Sequence, residues 1–600
     1  MDGNLIYDPL KSYQNIFREK HHTNTTAFFD ELVKKSEINI AENKQVVAEI
    51  DKLNNKINNL ENELSKRRGF KTFLIVVVVI AFFISIINIY SIVNIHNSAG
   101  RASLIHYVLL PISLIIGIGL IVLTIKKINP VIKTLVKDKA ELKEKLNKKL
   151  SIAYQGLKPL HDLFYEGISE ELFSKTLPIF NMDPMFDSKR LDYLVNKFGL
   201  YDAIDENRST LYVKSGDING NPFYIANDLV HTLGTKKYTG TLTITYTNYV
   251  YRGGKRVAQR QTQVLSATIE KPCPYYNEES YLIYGNEAAP DLIFSRVDSD
   301  AEHMTQKQID RLVRRDYKTL TKKTQKSVRK GGTYTALAHE EFEVLFGAID
   351  RNNEVQFRLL FTPLAQKQLL ELMKDKEIGY GDNFDFVKYK MINGIFPEHL
   401  KGFELDGNPK LFLHYDYEKV KNLFISYNNL YFKNIYFAFA PLLSIPLYQQ
   451  QKPREYIYKD SYESYVSFYE HEKVCNKINI EEFKHPLSTT RNILKTTTVK
   501  SGNEIDTIKV TAYGYQTENK VDYIPTLGGD GRTHLVPVHW VEYTPVMQET
   551  DVNINVIKDK KEETYRDKIA SRIERLKTRE NLSEKDLYLF GRFLAHVIKK

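Results

Sequence analysis

Cysteine and tryptophan are the scarcest residues of this 600-residue chain, which contains two cysteines and one tryptophan. Two cysteines, Cys273 and Cys475, are too few for the disulfide frameworks that stabilise small secreted domains. This scarcity agrees with a reducing compartment. Each thiol is interpreted as a small buried apolar group.

Several common catalytic signatures are missing as well. The sequence contains no G-x-x-x-x-G-K-[ST] phosphate loop, no G-x-G-x-x-G dinucleotide fingerprint and no G-x-S-x-G nucleophile elbow. Neither cysteine stands in a local nucleophile motif. We therefore predict no cofactor, no bound metal and no catalytic residue. Enzymatic activity is left open, with a preference against it.

Charged residues are missing from two long apolar runs. Residues 72–95 are almost entirely Val, Ile and Phe, and residues 103–125 form the second run. Each run exceeds the roughly 20 residues that a helix needs to cross a hydrocarbon core of about 30 Å. Only the short polar connection 96–102 separates them. Residues 71–126 are therefore predicted to form a transmembrane helical hairpin with two spans.

The charges that flank the runs predict an orientation. Cations cluster outside the pair of runs, whereas the connection between them holds only Arg101. These cations are Lys66, Arg67, Arg68, Lys71, Lys126, Lys127 and Lys133. Because Lys and Arg accumulate in short cytoplasmic loops, we predict a multi-pass cell-membrane protein whose termini and main body are cytoplasmic.

Apolar stripes with spacings of three and four accompany both ends of the hairpin. The first stripe is Val46, Ile50, Leu53, Ile57, Leu60 and Leu64, and the second is Ile128, Val131, Leu135, Leu142, Leu146 and Leu150. Such spacing is typical of a coiled coil. Residues 1–70 are predicted to be an N-terminal helix and coiled-coil arm, and residues 127–155 the return arm of a stalk. Packing on the body or on another subunit is the alternative, so a homo-oligomer stays open.

The remaining chain is long enough for real hydrophobic cores. Alternating residues at 241–246 and 257–269, separated by Gly253 and Gly254, predict a β-hairpin. Further strands are expected at 355–361 and 434–439. Together these patterns predict an α+β class: residues 156–450 as a mixed domain with antiparallel strands, 451–555 as a strand-rich module and 556–600 as C-terminal helices. Ser583 is expected to cap the last helix.

The strongest functional signal is a basic helical insertion at 303–330. Nine cations lie within twenty residues, opposed there by Asp316 alone: Arg311, Arg314, Arg315, Lys318, Lys322, Lys323, Lys326, Arg329 and Lys330. Helical spacing is expected to spread them around much of the helix. A solvated basic face, contact with an anionic lipid surface, and contact with nucleic acid or another acidic partner stay open. Nucleic acid is the less favoured partner because no known nucleic-acid motif accompanies the helix.

A glycine-rich segment at 527–534 precedes two histidines. Asp530, His534 and His539 could meet as metal ligands or as an acid–base group. The alternative is an ordinary loop between strands, because glycines suit turns. We consider these three residues a candidate ligand or partner loop.

Four short segments form a recognisable series: Glu341-Phe342-Glu343-x-x-Phe346, Val355-x-Phe357-Arg358-Leu359-Leu360-Phe361-Thr362-Pro363, Leu369-Leu370-x-Leu372 and Phe403-Glu404. This series resembles a bacterial family of two-pass membrane proteins with a cytosolic domain of unknown function. The similarity covers roughly residues 30–410. The resemblance implies the order of helix, two spans, helix and strand-rich body. It implies no catalytic residue.

These patterns favour a membrane-anchored cytosolic interaction or scaffold protein whose protein partner the sequence does not name. A membrane-tethered hydrolase that uses Asp530, His534 or His539 is the second hypothesis. A module that binds anionic lipid or nucleic acid through the basic helix is the third.

Overall fold

The computed structural model describes residues 6–97, 104–201, 205–252, 255–452, 464–502, 505–556, 573–574, 577 and 586–598. It divides into two compact units. Unit 1 contains residues 1–26, 165–408 and 427–600, and unit 2 contains residues 27–164 and 409–426. Most of both predicted strand-bearing regions lies in unit 1, and the predicted domain boundaries at 156, 450 and 555 stay predictions.

The α-helices are numbered in chain order: α1 Pro9–Ser12, α2 Arg18–Ser36, α3 Ile40–Asn97, α4 Leu104–Leu123, α5 Asn129–His161, α6 Ile168–Thr176, α7 Ser188–Phe198, α8 Gln306–Arg329, α9 Glu340–Phe346, α10 Glu354–Leu360, α11 Pro363–Lys374, α12 Tyr417–Leu443 and α13 Phe468–Lys477. One-turn π-helical segments lie at Tyr13–Phe17 and Thr124–Ile128.

The strands are β1 Phe180–Met182, β2 Arg208–Ile218, β3 Asn221–Arg252, β4 Lys255–Gly285, β5 Ile293–Arg296, β6 Phe384–Tyr389, β7 Ile392–Pro397, β8 Ile493–Ser501, β9 Ile505–Leu527, β10 Thr533–Val556, β11 Leu587–Phe590 and β12 Phe593–Ile598. They form a seven-stranded sheet in the order β1-β2-β3-β4-β7-β6-β5 and a five-stranded sheet in the order β11-β12-β10-β9-β8. Every strand pair is antiparallel. The predicted mixture of helices and antiparallel strands is confirmed.

Unit 2 contains two helical segments long and apolar enough to cross a membrane, Ile40–Val93 and Val108–His161. The Ser85 and Ser113 hydroxyls lie 2.7 Å apart, which links α3 to α4. Most of the predicted connection between the spans lies outside the described residues.

Helices α3 and α5 also contact each other through charged side chains. Lys139 Nζ lies 2.6 Å from Glu61 Oε1, and Lys149 Nζ lies 2.5 Å from Glu49 Oε2. Along the first stripe, Ile50, Ile57 and Leu64 are buried. The two helices therefore run side by side over this length, while coiled-coil packing itself stays a prediction.

Unit 1 is built around the seven-stranded sheet. Phe294 of β5 packs against the rings of Phe346, Phe357 and Phe361, with ring centroids 5.6–5.9 Å apart. Phe342 is also fully buried in this cluster. Four of the aromatic residues that carry the family resemblance are thus core residues of unit 1, and the fifth, Phe403, is partly buried against this core.

The longest strands, β3 and β4, form a two-stranded ribbon. Their antiparallel register runs from Phe223 opposite Tyr284 to Arg252 opposite Lys255, so the predicted hairpin is confirmed. Gly253 and Gly254 lie outside the described residues. The hairpin of β9 and β10 packs on this ribbon through Ile244, Leu265 and Val538.

The predicted C-terminal helix is wrong for residues 587–598. They form β11 and β12, and β12 pairs with β10 from Phe593 opposite Val556 to Ile598 opposite Asp551. Phe593, Ala595 and Val597 share one buried cluster, which is a period of two. Pairing with a distant strand therefore outweighs the helical spacing. Ser583, the expected cap, lies outside the described residues.

Two shorter strand predictions are also wrong. Residues 355–361 fall mostly in α10, where the Asn353 side chain accepts a hydrogen bond from the Gln356 N–H. Residues 434–439 lie in α12. There Ile435, Tyr436, Ala438 and Phe439 are all almost completely buried. Because apolar residues occupy all sides of this part of the helix, the sequence shows no helical alternation of apolar and polar residues.

Candidate functional site

Helix α8 occupies the region where the sequence predicts a basic helix. Thr305 and Gln308 form a capping box at its N-terminus. Ile309, Val313 and Leu320 are buried, and the first two belong to the main core of unit 1. The helix is therefore anchored along one face.

The cations are gathered on the opposite face instead of being spread around the helix. At about 100° per residue, seven of them project within an arc of about 120°: Arg311, Arg314, Arg315, Lys318, Lys322, Lys326 and Arg329. All seven are exposed. Lys307 projects onto the same arc, so this cationic face is about 33 Å long at about 1.5 Å per residue.

Counter-charges are scarce on the cationic face. Arg315 forms an ion pair with Asp316, with Nε 2.7 Å from Oδ1. This guanidinium lowers the pKa of Asp316 through their hydrogen bond. Among the described residues, no carboxylate lies within 4.0 Å of the other six cations of the arc. The face thus presents an almost uncompensated positive field to solvent.

The two remaining predicted cations lie off the face. The Lys323 Nζ donates to the Ile349 carbonyl at 2.5 Å and lies 4.5 Å from the centre of the Tyr334 ring. Lys330 follows the last helical residue. Lys323 therefore stabilises the packing of α8, and the arc is the candidate site.

The glycine-rich segment is the turn between β9 and β10. Asp530 and His534 are brought together, with His534 Nε2 3.0 Å from Asp530 Oδ2. His539 lies five residues farther along β10, opposite Val521. Because side chains alternate along a strand, His534 and His539 point to opposite faces, and the three predicted residues do not converge.

The glycines of this turn permit close packing on the β3–β4 ribbon. A Cβ on Gly528 would lie 2.8 Å from Ile244 Cδ1, and a Cβ on Gly529 would meet the Tyr246 hydroxyl. The Gly529 N–H donates to Gln263 Oε1 at 2.7 Å. These contacts give the turn a packing role. Ligand binding by the turn stays a prediction.

A buried group of Ser, His and Asp lies elsewhere in unit 1. Asp506 occupies its centre, accepting hydrogen bonds from the hydroxyls of Ser464 at 2.7 Å and Ser501 at 2.6 Å, and lying 3.2 Å from His471 Nε2. In a catalytic triad the histidine bonds the nucleophilic hydroxyl. Here both serines bond the carboxylate, so the group stabilises the fold.

A small polar cavity of about 60 Å³ lies beside α13 and the β11–β12 turn. The Lys477 Nζ lies 2.7 Å from Asp406 Oδ1 and 3.4 Å from Glu166 Oε1. Burial raises the pKa of Glu166. Lys214 pairs with Glu170 at 3.4 Å. The lining also contains Lys473 and Arg592, and Lys473 pairs with Glu470 at 2.6 Å. With Glu470 counted, four carboxylates face four cations, so the cavity offers little excess charge to a ligand.

No group of three or more His, Cys, Asp or Glu side chains within the described ranges could hold a metal ion. Comparison with family models, with curated proteins and with solved structures finds no match. The resemblance to a bacterial two-pass family therefore stays a prediction. The functional argument depends on the chain's own surface.

Proposed function

We propose that this chain is a membrane-anchored interaction or scaffold protein, and that the cationic face of α8 binds the headgroups of an anionic lipid surface. The observation that carries this proposal is the arc of cations from Arg311 to Arg329, of which only Arg315 has a carboxylate partner among the described residues. Its apolar side is occupied by the protein core, so adhesion depends on charge alone. Each cation near an anionic leaflet contributes about 1 kcal/mol.

A lipid surface is preferred to nucleic acid because of what the face lacks. Proteins that hold nucleic-acid bases without reading their sequence stack them on exposed aromatic side chains. The only aromatic residue of α8, Tyr317, donates its hydroxyl hydrogen to the Leu337 carbonyl at 3.0 Å and is half-buried. A membrane-anchored chain would also meet lipid headgroups at high local concentration.

The proposed anchor is a two-span hairpin with a paired stalk and a cytoplasmic body. The flanking cations, the Ser85–Ser113 hydrogen bond and the ion pairs between α3 and α5 support it. Cysteines introduced at Ser98 and at the exposed Thr243 test the orientation on intact cells. An impermeant thiol reagent is expected to label the first and spare the second, and the reverse pattern would contradict a cytoplasmic body.

The lipid proposal is tested with the full chain held in nanodiscs of neutral lipid. Flotation with added vesicles of phosphatidylglycerol and phosphatidylcholine is expected to recover the protein, whereas vesicles of phosphatidylcholine alone are expected not to. Replacing Arg311, Arg314, Lys318 and Lys322 by Gln removes four cations and should weaken binding about a thousandfold. Binding should also fall as salt screens the charges.

The fold should survive these substitutions because Ile309, Val313 and Leu320 still anchor α8, and circular dichroism checks this. Equal binding by the Gln variant would overturn the lipid role of α8. Tighter binding of a DNA duplex than of anionic vesicles would support a nucleic-acid function instead.

A further inference from the structure

The β3–β4 ribbon extends beyond the hairpin that packs on it. The β9–β10 turn ends at Tyr246 and Gln263 of the ribbon. Residues 247–252 and 255–260 lie past this contact and, among the described residues, pair only with each other. Six residues at about 3.4 Å each give a free end of about 20 Å.

The free end belongs to a segment without acidic residues. Residues 229–269 contain no Asp or Glu. The same 41 positions contain six Lys and Arg residues: Lys236, Lys237, Arg252, Lys255, Arg256 and Arg260. Four of them lie in the free end, so its charge suits an anionic partner.

Aromatic and apolar side chains are exposed at the same place. Tyr251 is 75% exposed and Tyr249 is 53% exposed. Val250 lies opposite Val257 across the ribbon, and both valines are exposed. The Arg256 guanidinium lies 4.4 Å from the centre of the Tyr249 ring. By strand alternation, the tyrosines occupy one face and the valine pair the other.

We infer that this free end inserts into the interfacial region of an anionic lipid bilayer. Tyrosine rings favour the boundary between headgroups and acyl chains because they are apolar with one polar tip. The valine pair supplies further apolar area, and Lys255, Arg256 and Arg260 contact lipid phosphates. A nucleic acid would engage the cations and tyrosines but would leave both exposed valines without a partner, so the bilayer is favoured.

This site is independent of α8. The cationic face of α8 has no exposed aromatic residue, so it adheres by charge. The ribbon end combines charge with side chains that enter the interface. An environment-sensitive probe can therefore distinguish the two, since only insertion moves a probe out of water.

The experiment uses the full chain in neutral nanodiscs with Tyr251→Cys carrying a nitrobenzoxadiazole probe. The native Cys273 and Cys475 are both buried, which favours selective labelling. Vesicles containing phosphatidylglycerol should raise the probe intensity and shift its emission to the blue, whereas neutral vesicles should not. The same probe at Thr243, exposed on the same ribbon face but beside the packed hairpin, should not respond.

Two variants separate insertion from adhesion. Tyr249→Ser with Val257→Ser should weaken vesicle binding about tenfold and leave its salt dependence unchanged. The four Gln substitutions in α8 should weaken binding but keep the full probe shift once vesicles saturate. A response at Thr243 equal to that at Tyr251 would overturn insertion. So would a larger response to a DNA duplex, or a response to protein concentration without vesicles, which would indicate self-association.

Discussion

Helices α5 and α8 are both rich in lysine, yet their charges meet different surroundings. On α5, Lys139 and Lys149 pair with glutamates of α3, and Lys148 pairs with Glu144 of the same helix at 2.7 Å. On α8, only Arg315 of the arc has a carboxylate partner among the described residues. The number of cations therefore does not distinguish the two helices. The distance from their cations to the nearest carboxylates does distinguish them.

The largest expected effect comes from breaking a fully compensated charge. Arg296 and Asp382 are both almost completely buried, and Arg296 Nη2 lies 2.6 and 2.8 Å from the two carboxylate oxygens. Arg296→Met leaves the carboxylate without its cation, so the free energy of unfolding should fall by about 3–5 kcal/mol. Thermal unfolding in detergent measures this loss.

The double variant Arg296→Met with Asp382→Leu is the matched control for this pair. It removes both charges and should recover most of the lost stability, because apolar groups can replace a buried ion pair at little cost. A double variant as unstable as the single one would show that the ion pair itself stabilises the fold.

The next largest expected effect is a loss of stability at low pH caused by His21, a buried histidine whose two hydrogen-bond partners are uncharged. His21 is buried, with Nδ1 2.9 Å from the Thr176 hydroxyl and Nε2 3.1 Å from the Asn428 carbonyl. Burial lowers the pKa of His21 to about 4. Below pH 6.5 the unfolded chain binds a proton that the folded chain does not, so stability falls as the pH drops from 6.5 to 4. The loss at pH 4 should be roughly 3 kcal/mol.

Unfolding midpoints of His21→Gln between pH 7 and 4 check this window. The variant should show a shallower decline than the parent chain, whereas His539→Gln, at an exposed position, should show the same decline. Parallel curves for the parent and His21→Gln would contradict the prediction.

A smaller effect is expected from the ion pair between α3 and α5. Glu61→Gln removes the partner of Lys139 at an exposed site, where screening and side-chain entropy offset most of the attraction. The unfolding midpoint should therefore move far less than in Arg296→Met. Cysteines at positions 61 and 139 should crosslink within one chain, and crosslinks found only between chains would contradict this pairing.

The smallest expected effect is a change in vesicle binding, measured with a variant of α5 that serves as the matched control for the four-Gln variant of α8. Replacing Lys137, Lys139, Lys148 and Lys149 of α5 by Gln also removes four cations. Because these lysines have carboxylate partners on α3 or α5, vesicle binding should change less than about threefold. A loss as large as that of the α8 variant would mean that net charge alone drives adhesion.

The sequence predicted those features whose signal is local. The basic helix was expected at 303–330 and spans Gln306–Arg329, because its capping box and apolar spacing are encoded there. The narrow arc could also have been found from the spacing of the nine cations. The carboxylates near α5 come partly from α3, so a survey of α5 by itself cannot detect that compensation.

The errors arose where distant partners decide the structure. Residues 593–598 fit a helical spacing, yet they pair with β10 about forty residues earlier. The turn at Gly528 resembles a ligand loop until its contacts with Ile244 and Gln263 are known. The free end of the ribbon could not be predicted either, because the sequence does not show where along the ribbon the β9–β10 hairpin stops.

Because the β9–β10 hairpin stops at Tyr246 and Gln263, the length of the ribbon beyond this contact can change without changing the core. Two residues inserted into each strand between the Tyr246–Gln263 contact and the tip would lengthen the arm by about 7 Å. Because the pleat repeats every two residues, such insertions preserve which side chains share a face. Related chains could therefore differ in arm length while every core contact of the sheet stays the same.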